Sequence, residues 1–167
     1  MSLYACVPQF IKMLENLERW LDKGVAFARQ KPFDPVVLLQ SRLAPDQYPL
    51  VRQVQCACDR AKFAAARLTG KQPPRNPDTE QTVDELRARI HGTIAFLKSF
   101  EPSDFAGAET RMVELPHYDG KRMVGSEYLT TLQLPDFYFH ATTAYAILRH
   151  NGVDLGKDDF LGDLNLS

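Results

Sequence analysis

Asp136 and His140 stand four residues apart in the run Leu134-Pro135-Asp136-Phe137-Tyr138-Phe139-His140. On a helix that spacing puts both side chains on one face, one turn apart. A carboxylate and an imidazole so placed can share a divalent ion. The same pair can also hydrogen-bond without a metal, with Asp136 favoured by the helix dipole in the first turn after Pro135. Phe137, Tyr138 and Phe139 surround the pair with aromatic surface, so any charge buried there needs a partner.

The other reactive residue types offer less. Cys56 and Cys58 are two residues apart, which on a helix points them about 200° apart, so they cannot chelate one ion or bridge each other. Both read as small core residues, and Cys6 has no basic neighbour in sequence to activate it. His150 falls in a last helical turn as a cap, His91 beside a buried stripe, and His117 on a hairpin tip. Lys157-Asp158-Asp159 reads as solvated surface. The chain contains no Gly-rich phosphate loop, Gly-x-Ser-x-Gly elbow, Cys-x-x-Cys pair or His-Glu-x-x-His.

Four long amphipathic segments must position these residues. Val7, Phe10, Ile11, Leu14, Leu17, Leu21, Val25 and Ala28 recur at three- and four-residue steps and predict a first helix over Val7 to Gln30, stopped by Pro32. Asp34-Pro35 predicts a capped short helical connector over Val36 to Gln40. A second helix starts near Asp46 or Tyr48 and closes at Gly70, with a small inner face of Ala57, Cys58, Ala61, Ala64 and Ala65 that lets a neighbour come close. The polar, proline-rich stretch from Lys71 to Asp78 is a loop. Thr82 with Glu85 has capping-box spacing, a start near Asp78 or Thr79 being equally open, and a third helix follows to Phe100. A hairpin is expected from Arg111 to Leu115 and Arg122 to Val124, around His117-Tyr118-Asp119-Gly120. The last helix runs from Ser126, as N-cap, to His150, kinked or split at Pro135, and Leu155, Phe160 and Leu161 of the tail are placed to pack back on the bundle.

The fold class is therefore all-α: a four-helix bundle with a small β-hairpin on the connection between helices three and four, in one domain over 1–167. Charged residues are 25% and the net charge is -1, so no positive field attracts phosphate backbones and no nucleic-acid partner is expected. No apolar run approaches the roughly twenty residues of a membrane helix. Three cysteines and no leader pattern at the start fit a cytoplasmic protein.

The stretches VPQFIKMLENL (7–17), RLAPDQYPLVRQVQCAC (42–58), TIAFLKSF (93–100) and LPDFYFHATTAYAILRHNGVDLGKDDFLG (134–162) resemble a bacterial and fungal domain family of unknown function. That family is similar to the DinB/YfiT-like helical bundles. The resemblance implies a DinB-like four-helix bundle whose active members hold zinc or nickel between three histidines, one on the second helix and two on the last. Aligned through Leu-Arg-x-Asn-Gly-Val, His140 falls on the second last-helix ligand and Asp136 on the first, with the second-helix ligand at or near Gln53. A Gln53, Asp136 and His140 set is poorer than three imidazoles, because a neutral amide is a weak donor to Zn²⁺ or Ni²⁺.

Two functions follow. One is a metal-free bundle with a degenerate metal site, whose Gln53, Asp136 and His140 face a small-molecule pocket, or which assembles as a homodimer through a helix face, with Trp20, Tyr138 and Phe139 contributing where their helices expose more than one apolar face. The other is a divalent-metal-dependent enzyme of thiol-transferase or hydrolase type, in which those three residues hold Zn or Ni. The two missing histidines favour the first.

Overall fold

The four apolar stripes become four long helices in a computed structural model, which describes residues 2–164 and 166. Helix α1 spans Cys6–Arg29, α2 Leu50–Thr69, α3 Val83–Lys98 and α4 Leu134–His150. Helix α2 starts a few residues later than Asp46 or Tyr48, because Pro49 stays extended (φ -69°, ψ 167°) and serves as N-cap. Gly70 ends α2 in the left-handed conformation (φ 82°), where a Cβ is unfavourable. Thr82 caps α3 through the full reciprocal box with Glu85. Asp34 accepts a hydrogen bond from the Val36 backbone at 2.8 Å and caps the single turn Val36–Leu39.

Helix α2 packs against α4 and α3, and α1 against α3 and α4. Its inner face is built on Ala57, Ala61, Ala64 and Ala65, all buried, so the helix lies close to its neighbours while larger side chains from them fill the space. Trp20, Tyr128, Phe10 and Phe137 are among the largest buried groups, and Phe10 meets Phe137 edge-on at 4.7 Å.

The hairpin pairs β1 (Met112–Glu114) with β2 (Arg122–Val124), Met112 opposite Val124 and Glu114 opposite Arg122. Its loop is longer than a two-residue turn. Leu115 donates to Lys121 O, a 3-10 turn fills Pro116–Tyr118, and Asp119 and Gly120 both take positive φ. His117 is described by its backbone alone.

Pro135 neither splits nor sharply ends the last helix. Helical backbone runs unbroken through Gly125–Glu127, a π-helical segment Tyr128–Gln133, and α4. Proline lacks an N–H and crowds the carbonyl four residues before it, and the wider π turn just upstream takes up that mismatch. Ser126 consequently lies inside the first turn and is not the N-cap, a position that Val124 fills. After α4 the chain turns at Gly152 (φ 96°) and forms α5 (Lys157–Leu161), whose Phe160 stacks on Trp20 at 5.3 Å. No described helix is long and apolar enough to cross a membrane.

Candidate functional site

Gln53 sits in the first turn of α2, fully buried, with its Nε2 donating to the Tyr48 carbonyl at 3.0 Å. That bond fixes the amide, so Oε1 points the other way and lies 2.7 Å from His140 Nδ1. His140, 6% exposed, is on α4, and its Nε2 lies 3.2 Å from Asp136 Oδ1. Asp136 Oδ2 in turn lies 2.8 Å from Arg60 Nε on α2. Tyr48 O, Gln53, His140, Asp136 and Arg60 therefore form one continuous polar chain between the second and last helices. The three residues singled out in the sequence do meet.

What they make of that meeting is set by donor and acceptor roles. The Gln53 oxygen accepts from Nδ1, and Nε2 on the other side of the ring faces the Asp136 carboxylate. Burial works against the Asp136 charge, but the His140 hydrogen bond and the positive charges of Arg60 and His140 outweigh it and hold the carboxyl below its ordinary range. Asp136 is not at a free helix N-terminus, because the π segment precedes α4 without a break, so its partners and not the dipole stabilise it.

The three side chains face one another, with the Arg60 guanidinium beside the carboxylate. As the side chains stand, Nδ1 is bonded to Gln53 and Nε2 faces Asp136 at 3.2 Å, so an ion held here would have to displace those partners. Among the described residues there is no group of three or more His, Cys, Asp or Glu placed to hold a metal ion.

Beside Asp136 opens a cavity of about 370 Å³, lined by Arg60, Arg67, Leu132, Gln133, Asp136 and the hairpin loop at Leu115, Pro116 and Tyr118. Apart from Asp136, no local pattern in the sequence marks its polar groups. Arg60 and Arg67 are seven residues apart on α2, which returns both to one face within about 20°. Arg67 lies over the Phe63 ring at 5.0 Å and donates to the Tyr128 hydroxyl at 3.3 Å. Gln133 closes the π segment and is 1% exposed, yet its Oε1 has no hydrogen-bond partner. Arg60 Nε is likewise buried, and although it lies near Asp136 its N–H is not aligned on the oxygen.

The remaining candidates are structural. Cys6, Cys56 and Cys58 are all buried, and burial pushes the Cys6 and Cys58 thiols up to about 12. His91 is exposed and contacts Glu18 at 2.7 Å. Trp20 cannot contribute to an assembly face: it is fully buried, stacked under Phe160, with its indole N–H donating to Asp159 O at 2.9 Å. Phe139 is 53% exposed and Tyr138 half-buried. A second buried charge cluster joins α2, the proline-rich loop and α3: Arg89 meets Asp59 at 2.9 Å and Glu80 and Asp78 at 3.0 Å, and Lys62 meets Asp59 at 2.9 Å and Asn76 at 2.8 Å. It fastens that loop to the bundle.

The chain is similar in structure to a DinB family member protein from Shewanella denitrificans, with 49% sequence identity, a TM-score of 0.93, and coverage of 96% of this chain and 92% of that one. No curated protein matches it. The family model described as a domain of unknown function, DUF1993, matches residues 3–161, and on that extent of agreement the chain belongs to the DUF1993 family, with a DinB-like helical fold.

Proposed function

We propose that this chain is a metal-free bundle that binds a small molecule in the cavity beside Asp136. The observation that carries the reading is that each side chain a metal would need already faces another protein group. Gln53 and Asp136 are turned onto opposite nitrogens of His140, and Arg60 supplies the positive charge that an ion would otherwise supply. The polar chain then serves as a rigid wall that holds the Asp136 carboxylate at the cavity. At about 370 Å³ the cavity is at the lower end of the range for small-molecule sites, roughly 300–1,000 Å³.

The test is metal stoichiometry. Protein purified without chelator is analysed by elemental mass spectrometry and titrated with Zn²⁺ and with Ni²⁺ by calorimetry. Substoichiometric metal and no saturable heat are expected for wild type. One tightly held ion per chain, lost in His140→Ala, would overturn the reading and restore the metal-dependent enzyme.

A further inference from the structure

We infer that the ligand is a small organic carboxylate that also carries a hydroxyl or N–H donor near its acid group; the inference rests on the small-molecule reading above. It comes from the charges and unpaired atoms that the cavity collects. Two guanidinium groups, Arg60 and Arg67, face one carboxylate, Asp136, so the lining carries an excess positive charge. Asp136 is itself shared with His140. A neutral or cationic guest leaves that excess uncompensated, whereas a carboxylate balances it and suits the planar fork of arginine.

The second requirement is set by Gln133. Its Oε1 is a buried acceptor lacking a protein partner, and the residue, 1% exposed, is one of those lining the same cavity. An unpaired buried acceptor is rare in a folded protein, and a donor carried by the guest would satisfy this one. The residue is delivered there by the π segment, which ends at Gln133. The rest of the guest meets Leu115, Pro116 and Leu132, so it carries apolar carbon opposite its acid. At roughly 30 Å³ per water, about a dozen water volumes are available, which limits the guest to a small aromatic or branched aliphatic acid.

Three probes separate the parts of this inference: mandelate, which has acid and hydroxyl; phenylacetate, which lacks the hydroxyl; and mandelamide, which lacks the charge. Each is titrated into the full chain up to about 10 mM and followed by amide and Gln side-chain NMR shifts, a range that detects millimolar affinity. Mandelate is expected to bind saturably, phenylacetate and mandelamide each at least about tenfold more weakly, the cost of leaving the glutamine or the arginines unpaired. Gln133→Leu should erase the preference for mandelate over phenylacetate while its Tm stays at or above that of wild type. Arg67→Met should erase the preference for mandelate over mandelamide.

Mandelamide binding as well as mandelate overturns the carboxylate class but leaves the metal-free pocket standing. Equal binding of mandelate and phenylacetate, or discrimination that survives Gln133→Leu, overturns the role of the glutamine. No saturable shift with any probe overturns the inference, and metal stoichiometry, measured separately, still decides the reading beneath it.

Discussion

His140 illustrates how one residue's role is fixed by what its two nitrogens face. The Tyr48 carbonyl orients Gln53, Gln53 takes Nδ1, and the ring then presents Nε2 to Asp136. A consequence can be read from acid titration. Asp136 has a folded pKa below its unfolded value, so its stabilisation is complete above about pH 4, the ordinary carboxylate range, and is lost as pH falls through the lower folded value. Asp136→Asn leaves Arg60 and His140 without their shared anion and is expected to destabilise the chain by about 1–3 kcal/mol at neutral pH. Urea unfolding measured near pH 7 and again well below pH 4 should show the gap between variant and wild type closing in acid, since protonation has then removed the same charge from wild type. A gap of equal size at both pH values would mean that packing, and not charge, is what Asp136 contributes.

At the scale of elements, the hairpin and the last helix are joined by a contact that admits no side chain. Gly125 donates its N–H to Arg111 O at 2.8 Å, and a Cβ on it would lie 2.0 Å from Ala108 O and 3.1 Å from Leu68 Cδ2. The clash is with backbone, so it is not relieved by a rotamer change. Gly125→Ala is expected to cost at least about 1–3 kcal/mol in urea unfolding, the range for overpacking. It should also shift the hairpin loop that roofs the cavity, visible as NMR shift changes at Leu115 and Tyr118. An unchanged urea midpoint would show that the join is looser than the structure has it. Pro135 makes the complementary point: the sequence marks where the last helix must be perturbed, and the backbone answers with a π turn that brings Gln133 to the cavity.

For the whole molecule, the thiols report on the core. Burial raises the Cys6 and Cys58 pKa from 9.0 to about 12, opposed in Cys58 by Arg89 and a Thr93 hydrogen bond. The unfolded thiols ionise above pH 9 while the folded ones stay protonated, so the stability is full below pH 9 and is lost as pH rises toward 12. A thiol-specific chromophoric reagent near pH 8 is expected to find none of the three cysteines in the native chain and all three in urea; rapid reaction of a native cysteine would contradict the buried core. Much of this architecture was legible beforehand, because helical periodicity, the Thr82–Glu85 box, Gly70 and the Asp-Gly turn are local signals that fix backbone conformation within a few residues. The sequence also marked Asp136 and His140 as a same-face pair, and resemblance brought in Gln53. It could not reveal that Arg60 neutralises Asp136, that α5 buries Trp20, or that Gln133 is left unpaired beside two arginines. Those facts depend on which helix lies next to which and on the rotation of each about its axis, and residues 76 positions apart, such as Arg60 and Asp136, meet only once the whole core has packed.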